Sequence, residues 1–385
     1  MTSLAPWPIV AHADIFFSSP PHNVTSTPLW TPPLRRAAGV VLKSQQIGIV
    51  AVLIALGIAL TFAAGSHIDA VSGAHTNNFL NVYTLVQMGT DASSFAIMGV
   101  GATIVIIAGG IDLSVGAIYA LAGVGMAMVL RAVGPMGPVA TVFVALATCL
   151  SIALLCGLAN GFMVIGLGVH PFIVTLGTMW VLRGVAFVVS HAESILVPGA
   201  LTSVAKARLG LGADLYPVPV LVMLVVAAIG QVYLSRTVSG RYVFAIGGNP
   251  EASRYSGLRV DRIKLGVYAI SGLSAGIAAF LGASFYGSAT SSDANGYELY
   301  VIAAAVVGGA SLIGGKGSAI SAMLGAILIV MIRQAIRTLH LDQNYEWIII
   351  GSALILAVVL DQGGTRLLAR RMAAVPATKD TSTVT

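Results

Sequence analysis

RTVSGRYVFAIGGNPEASRYSGLRVDRIK, residues 236–264, decides how the rest of the chain is read. It holds six of the chain's twenty Lys and Arg residues, and uncharged apolar runs flank it, Leu215–Ser235 before and Leu265–Ser292 after. A charged stretch between two such runs belongs in water beside a membrane. Within it, Asn249 suits a helix N-cap, Pro250 the first helical position, and Glu251 the positive end of the helix dipole. Gly257 supplies the glycine that ends a helix. The spacing predicts a helix of about two turns, too short to be stable alone in water. Two readings fit: an ordinary basic cytoplasmic loop placed by the positive-inside rule, or a short helix held by a partner.

Composition fixes the class. Of the 385 residues, 57% are hydrophobic and 9% charged, whereas a soluble domain carries about 25% charged residues. With a mean hydropathy of +0.92, this is an all-α, polytopic membrane protein in contact with membrane lipid. The net charge of +6 does not point to nucleic acid, because the basic residues lie between apolar runs, where membrane orientation explains them. Cys149 and Cys156 are seven residues apart in one apolar run, about 10 Å on a helix, which is beyond disulfide reach. They read as packing residues.

About ten transmembrane helices are expected. Residues 1–46 form a tail rich in Pro, Ser and Thr, without the order of a signal peptide, and read as disordered. The transmembrane domain covers 47–361, with the basic loop 236–264 inside it, and 362–385 form a second tail. The spans read as 47–65, 81–108, 117–130, 138–165, 172–190, 216–234, 265–285, 299–313, 318–338 and 345–360. Segment 81–108, interrupted by Gly89, Thr90 and Asp91, is taken as one span; splitting it would invert everything downstream. On this count fourteen Lys and Arg fall inside, three outside and three within spans, so both termini and the basic loop are cytoplasmic.

Asp112 stands out, with twenty uncharged residues before it and eighteen after. Such a carboxylate either couples an ion or contacts substrate, or, with Gly109 and Gly110 breaking the helix, caps the next one near Ser114 and Val115. The capping reading is preferred. Arg183 is expected to pair with a carboxylate or a lipid phosphate. Ala310–Gly317, ASLIGGKG, departs from a phosphate-binding loop at both Ala310 and Gly317 and reads as a tight turn. Gly272 and Gly276 have the spacing of close helix packing. Recognisable catalytic and metal-binding motifs are absent, so the chain reads as neither enzyme nor metalloprotein, and any ATP is hydrolysed by a partner. Asn81, Gln87, Asn160, Trp180, Tyr286 and Asn295 are polar or aromatic candidates for ligand contact among which the sequence does not choose.

GGIDLSVG from Gly109, HPFIVTLGTMWVLRG from His170, GRYVFAIGGNPEASRYSGL from Gly240, GYEL from Gly296 and GGASLIGGKGS from Gly308 together resemble the permease subunits of bacterial carbohydrate ABC importers, the ribose permease kind. The resemblance runs from about residue 45 to about 361 with the motifs in order. It implies a type II importer-like fold in the bacterial inner membrane. It also implies a second permease subunit, identical or paralogous, cytoplasmic ATP-binding subunits that carry the ATP and Mg, and a periplasmic substrate-binding protein. The short helix becomes a coupling helix, with Asn249, Pro250, Glu251, Ala252, Ser253 and Gly257 as its residues. Ser253 replaces the family's second Ala, and Tyr300 stands where many relatives carry a small acidic or polar residue. Gly109, Gly110, Asp112, Ser114, Gly116, Gly314, Gly315 and Lys316 are expected as hinge or gate elements. The expected function is import of a monosaccharide or related polyol, driven by a partner's ATP hydrolysis. An ion-gradient-driven secondary sugar transporter is the alternative, and a passive channel a more distant one.

Overall fold

The computed structural model describes residues 32–68, 73, 75–208 and 215–373. Two compact units are distinguished, Met1–Val41 and Leu42–Thr385. Of the first only residues 32–41 are described; the second holds the helical bundle.

In chain order the elements are α1 (Pro32–Ala63), β1 (Ser66–Ile68), β2 (His75–Asn77), α2 (Val82–Ile107), α3 (Val115–Val133), α4 (Pro138–Gly166), α5 (Pro171–Ser190), β3 (Ile195–Leu196) and α6 (Gly199–Ala205). There follow α7 (Val218–Arg236), α8 (Val238–Gly248), α9 (Pro250–Tyr255), α10 (Val260–Tyr286), β4 (Ser288–Ala289), α11 (Tyr297–Val307), α12 (Ala319–Thr338) and α13 (Tyr345–Ala373). The strands form two short antiparallel pairs, β1 with β2 and β3 with β4. Among the described residues, eight helices are long and apolar enough to cross a membrane: α1 from Gln46, α2, α3, α4, α5, α7, α10 and α12. Two shorter apolar helices, α11 and the Tyr345–Val359 part of α13, accompany them.

Segment 81–108 is one helix. Asn81 caps α2 by accepting from the Thr84 amide, and Gly89, Thr90 and Asp91 lie inside it without a break. Its 26 residues reach about 39 Å, more than a hydrocarbon core of about 30 Å. A helix apolar on every side belongs in the centre of a bundle, and α2 is buried almost continuously from Ala92 to Ile107. Glycines let its neighbours approach: a Cβ on Gly101 would lie 3.1 Å from the Ser271 Cα of α10, and one on Gly89 2.8 Å from Val220 of α7. Gly272 on α10 likewise meets Gly157 on α4 backbone to backbone, as its spacing predicts. Both cysteines are free, and Cys149 packs against the Gly276 carbonyl.

Four boundaries differ from expectation. Helix α1 starts at Pro32, so residues 32–46 are helical, while 1–31 lie outside the described residues. Helix α13 runs on to Ala373, past the expected end of the membrane domain. The basic loop holds an additional helix, α8. The expected span 299–313 is corrected to α11, whose 11 residues reach only about 16 Å, half a hydrocarbon core.

That half-helix explains Arg183. After α10 the chain turns at Gly287 (φ 79°) and runs back along α3 as irregular backbone. A Cβ on Gly123 would touch Ala289 at 3.6 Å; two turns earlier on α3, one on Gly116 would meet the Ala294 carbonyl at 2.5 Å. Irregular backbone at membrane depth persists only where protein satisfies its polar groups. Arg183, 8% exposed on α5, donates to the carbonyls of Ser291 at 2.8 Å, Asp293 at 2.6 Å and Ala294 at 3.2 Å. Backbone carbonyls take its hydrogen bonds, and of the expected carboxylate partners Glu298 and Asp293 lie close enough to attract its charge.

Candidate functional site

Helix α9 is built by its two ends. The Asn249 side chain accepts from the Ala252 amide at 2.9 Å, and Pro250 and Glu251 occupy the first turn. At the other end Gly257 has φ +82°. Its amide bonds the Arg254 carbonyl and the Leu258 amide bonds the Ser253 carbonyl, the paired pattern of a Schellman stop. Pro250, Glu251, Ala252 and Gly257 are exposed, and Tyr255 is 91% exposed, whereas Ser253 is buried against the bundle. The small residue at position 253 therefore faces inward, away from any docking surface. The exposed Arg254–Asp261 pair at 3.0 Å adds little.

Helix α8 carries α9 to the bundle. Thr237 caps it by accepting from the Gly240 amide, and Gly240, Val243, Ile246 and Gly247 form its buried face. Asn249 serves two elements, closing α8 and opening α9. Gly247 has no room for a side chain. A Cβ there would overlap the Ile107 carbonyl oxygen at the end of α2 and lie 2.6 Å from the Gly315 nitrogen. Gly315 in turn donates to the Ile107 carbonyl at 2.8 Å, and a Cβ on Gly314 would meet the Gly109 Cα at 3.2 Å. The two glycine runs, about two hundred residues apart in sequence, and α8 thus meet at one backbone junction.

The turns entering that junction are built alike. Helix α2 ends with Gly109 bonding Ile106 and Gly110 bonding Val105; α11 ends with Gly309 bonding Val306 and Ala310 bonding Ala305. Gly109 (φ 78°) and Gly309 (φ 96°) take the same left-handed position. Residues 110–114 then lead into α3, and the longer 310–318 into α12. The second turn closes on itself through Ser311 N–H to Lys316 O at 3.1 Å, leaving the Lys316 side chain exposed.

Asp112, 2% exposed, holds the first turn. One oxygen accepts from the Ser114 amide at 3.0 Å and hydroxyl at 2.7 Å, and the other from the Ser271 hydroxyl of α10 at 2.8 Å. The expected bond toward Val115 is thus replaced by one to α10. Asn160 of α4 donates to the Ser114 hydroxyl at 2.7 Å, and Thr175 of α5 and Tyr268 of α10 both donate to the Ile111 carbonyl at 3.3 Å. Three helices therefore clamp residues 111–114. Gly116, in the first turn of α3, packs 2.7 Å from a Glu298 carboxyl oxygen when given a Cβ.

The remaining polar candidates have separate duties. Asn81 is the α2 cap, Gln87 donates to Asp91 at 3.0 Å, and Asn160 belongs to the Asp112 network. Trp180, Tyr286 and Asn295 are exposed. Among the described residues no His, Cys, Asp and Glu group could hold a metal ion. Sequence reasoning missed α8, although the Thr237 cap and the apolar spacing of Gly240, Val243 and Ile246 signal it. It also missed the junction, which no local pattern reveals.

An all-α, polytopic bundle with a capped helix standing out from one end and glycine turns behind it defines a membrane permease of the type II importer class. The chain belongs to the family described as "Branched-chain amino acid transport system / permease component", which matches residues 84–359. It is 34% identical over 293 residues to the ribose import permease of Escherichia coli strain K12, covering 76% of this chain and 89% of that protein. It is 34% identical over 287 residues to the D-allose transport system permease of the same organism, covering 74% and 85%. The fructose import permease of Rhizobium meliloti is 30% identical over 289 residues, covering 74% and 79%. No solved structure matches the chain. These relatives make it a carbohydrate ABC importer permease in kind.

Proposed function

We propose that this chain forms the membrane path of a binding-protein-dependent ABC importer for a monosaccharide or related polyol. A second permease subunit, a copy or a paralogue, completes the path. A periplasmic protein delivers the sugar, and cytoplasmic ATP-binding subunits grip α9 from the basic end. ATP and Mg belong to those subunits, and both termini of the chain lie on their side. The observation that carries the coupling assignment is the seat of Gly247 against Ile107 and Gly315. A helix whose residues are all exposed except Ser253 is joined by a single capping residue to a helix in backbone contact with both glycine turns. Motion imposed on α9 therefore reaches α2 and the turn before α12 without passing through flexible side chains.

The ion-gradient alternative drew on Asp112. Both oxygens of that carboxylate are engaged by hydroxyl and amide donors, which supports a structural duty. Glu251→Lys tests the proposal by reversing the charge at the exposed first turn of α9. Sugar uptake should be abolished while the permease remains inserted and folded. Normal uptake by that variant, or uptake by the purified chain in liposomes under an ion gradient with no ATPase, would overturn it.

A further inference from the structure

Two cavities flank α1 near the basic end. The larger, roughly 520 Å³, is lined by Gly48 and Val52 of α1, Leu312 and Ile313 of the second turn, and Ala353 and Leu356 of α13. The other, roughly 450 Å³, lies between Val50 and the Ile320–Leu324 edge of α12. Helix α1 is tied at both ends, by Gln46 donating to Ser318 at 3.2 Å and by Asn77 and Asn78 donating to the Thr61 and Ala64 carbonyls. In between, only 6% of its span is buried. The larger gap exists because α11 stops at Val307 and the chain leaves the helical path there.

We infer that the larger groove is a binding site for one acyl chain of an anionic phospholipid, drawn from the leaflet at the α8–α9 end. An unfilled apolar gap forfeits dispersion contacts along its walls, and hydrocarbon is the solvent at this depth. The groove is short: its walls take in only Gly48 to Val52 of α1 and Ala353 to Val358 of α13. A transmembrane helix from a second copy needs a seam of about 30 Å, whereas an acyl chain needs half of that. The turn that walls the groove also carries Lys316, exposed and without a side-chain partner among the described residues. A cation there complements a headgroup phosphate. The ligand presses Leu312 and Ile313 from the lipid side of the turn whose Gly314 and Gly315 meet α8 on the other.

The test reads lipid binding alone and so stands apart from the coupling proposal. The full chain is reconstituted in phosphatidylcholine vesicles containing phosphatidylglycerol with a photoactivatable acyl chain, and cross-links are mapped by mass spectrometry. Labelling should concentrate on the groove walls above its level at Phe143 and Phe162, exposed on α4. In Gly48→Phe the new ring meets nothing within 4 Å at its Cβ, so groove labelling should fall to the α4 level with thermal stability kept. Lys316→Gln should lower the preference for phosphatidylglycerol about fivefold. Even labelling over all exposed helices, or none lost in Gly48→Phe, would reduce the site to ordinary boundary lipid. Copy-to-copy disulfides through Val52→Cys that displace the label would assign the groove to a second subunit.

Discussion

Adding one methyl group at Gly247 should disconnect α8 and α9 from the bundle. The Cβ would overlap the Ile107 carbonyl oxygen and lie 2.6 Å from the Gly315 nitrogen, so α8 must retreat or the Gly315–Ile107 hydrogen bond must break. Overpacking a well-filled site costs roughly 1–3 kcal/mol, and leaving a buried backbone group unpaired about as much again. Gly247→Ala should therefore lose about 2–6 kcal/mol of local stability, with α8 and α9 displaced together. Gly248→Ala is the internal control. Nothing lies within 4 Å of its Cβ, and alanine favours a helix over glycine by up to about 1 kcal/mol, so the neighbouring substitution has the opposite sign. Thermal unfolding in detergent reads stability, and vesicle uptake set against ATP hydrolysis by the assembled importer reads coupling. Gly247→Ala should unfold earlier and hydrolyse ATP with little uptake, while Gly248→Ala behaves as the parent. If the two variants are indistinguishable, the glycine junction is not the route of coupling.

Three further expectations follow from the same geometry. Arg183→Gln removes the guanidinium that bridges three carbonyls of the irregular segment and should destabilise the protein by roughly 1–3 kcal/mol, read as a lowered unfolding temperature; an unchanged temperature would show that the segment does not depend on Arg183. Asp112→Asn keeps an acceptor for Ser114 and presents an amide to Ser271, whose hydroxyl can turn to accept, so substantial uptake should remain; complete loss with normal folding would restore a charge-dependent duty. Lys316→Cys and Tyr255→Cys should be labelled by impermeant thiol reagents from one face of the membrane and Glu193→Cys from the other. Labelling of Lys316→Cys with Glu193→Cys would refute the crossing count.

How far the sequence is legible depends on the range of the interaction that shapes each part. Helix α9 is readable because Asn249, Pro250 and Gly257 act on their own neighbours, and a cap or a left-handed glycine needs no distant partner. Helix α8 is obscured by Gly247 and Gly248, which look like loop glycines until the Ile107 backbone is known to lie against them. The apolar run through Ile313 hides the end of α11, since hydropathy does not distinguish a helix from a turn of the same composition. Arg183 could be recognised as anomalous but not explained, because its partners are carbonyls, which every residue carries. The meeting of Gly109 with Gly314 is set by the packing of α2, α11 and α12, and no stretch of sequence records it.

The twin turns differ by four residues, and that surplus gives them unequal parts. Hydrogen bonds from α4, α5 and α10 secure the shorter one like an anvil. The longer one carries its slack in Ser311–Gly317, between α8 and the apolar groove beside α1. A blow delivered through Gly247 lands on both, yet only the longer has spare chain with which to yield. Under the proposed coupling, the stroke would be one-sided, with α12 the element thrown.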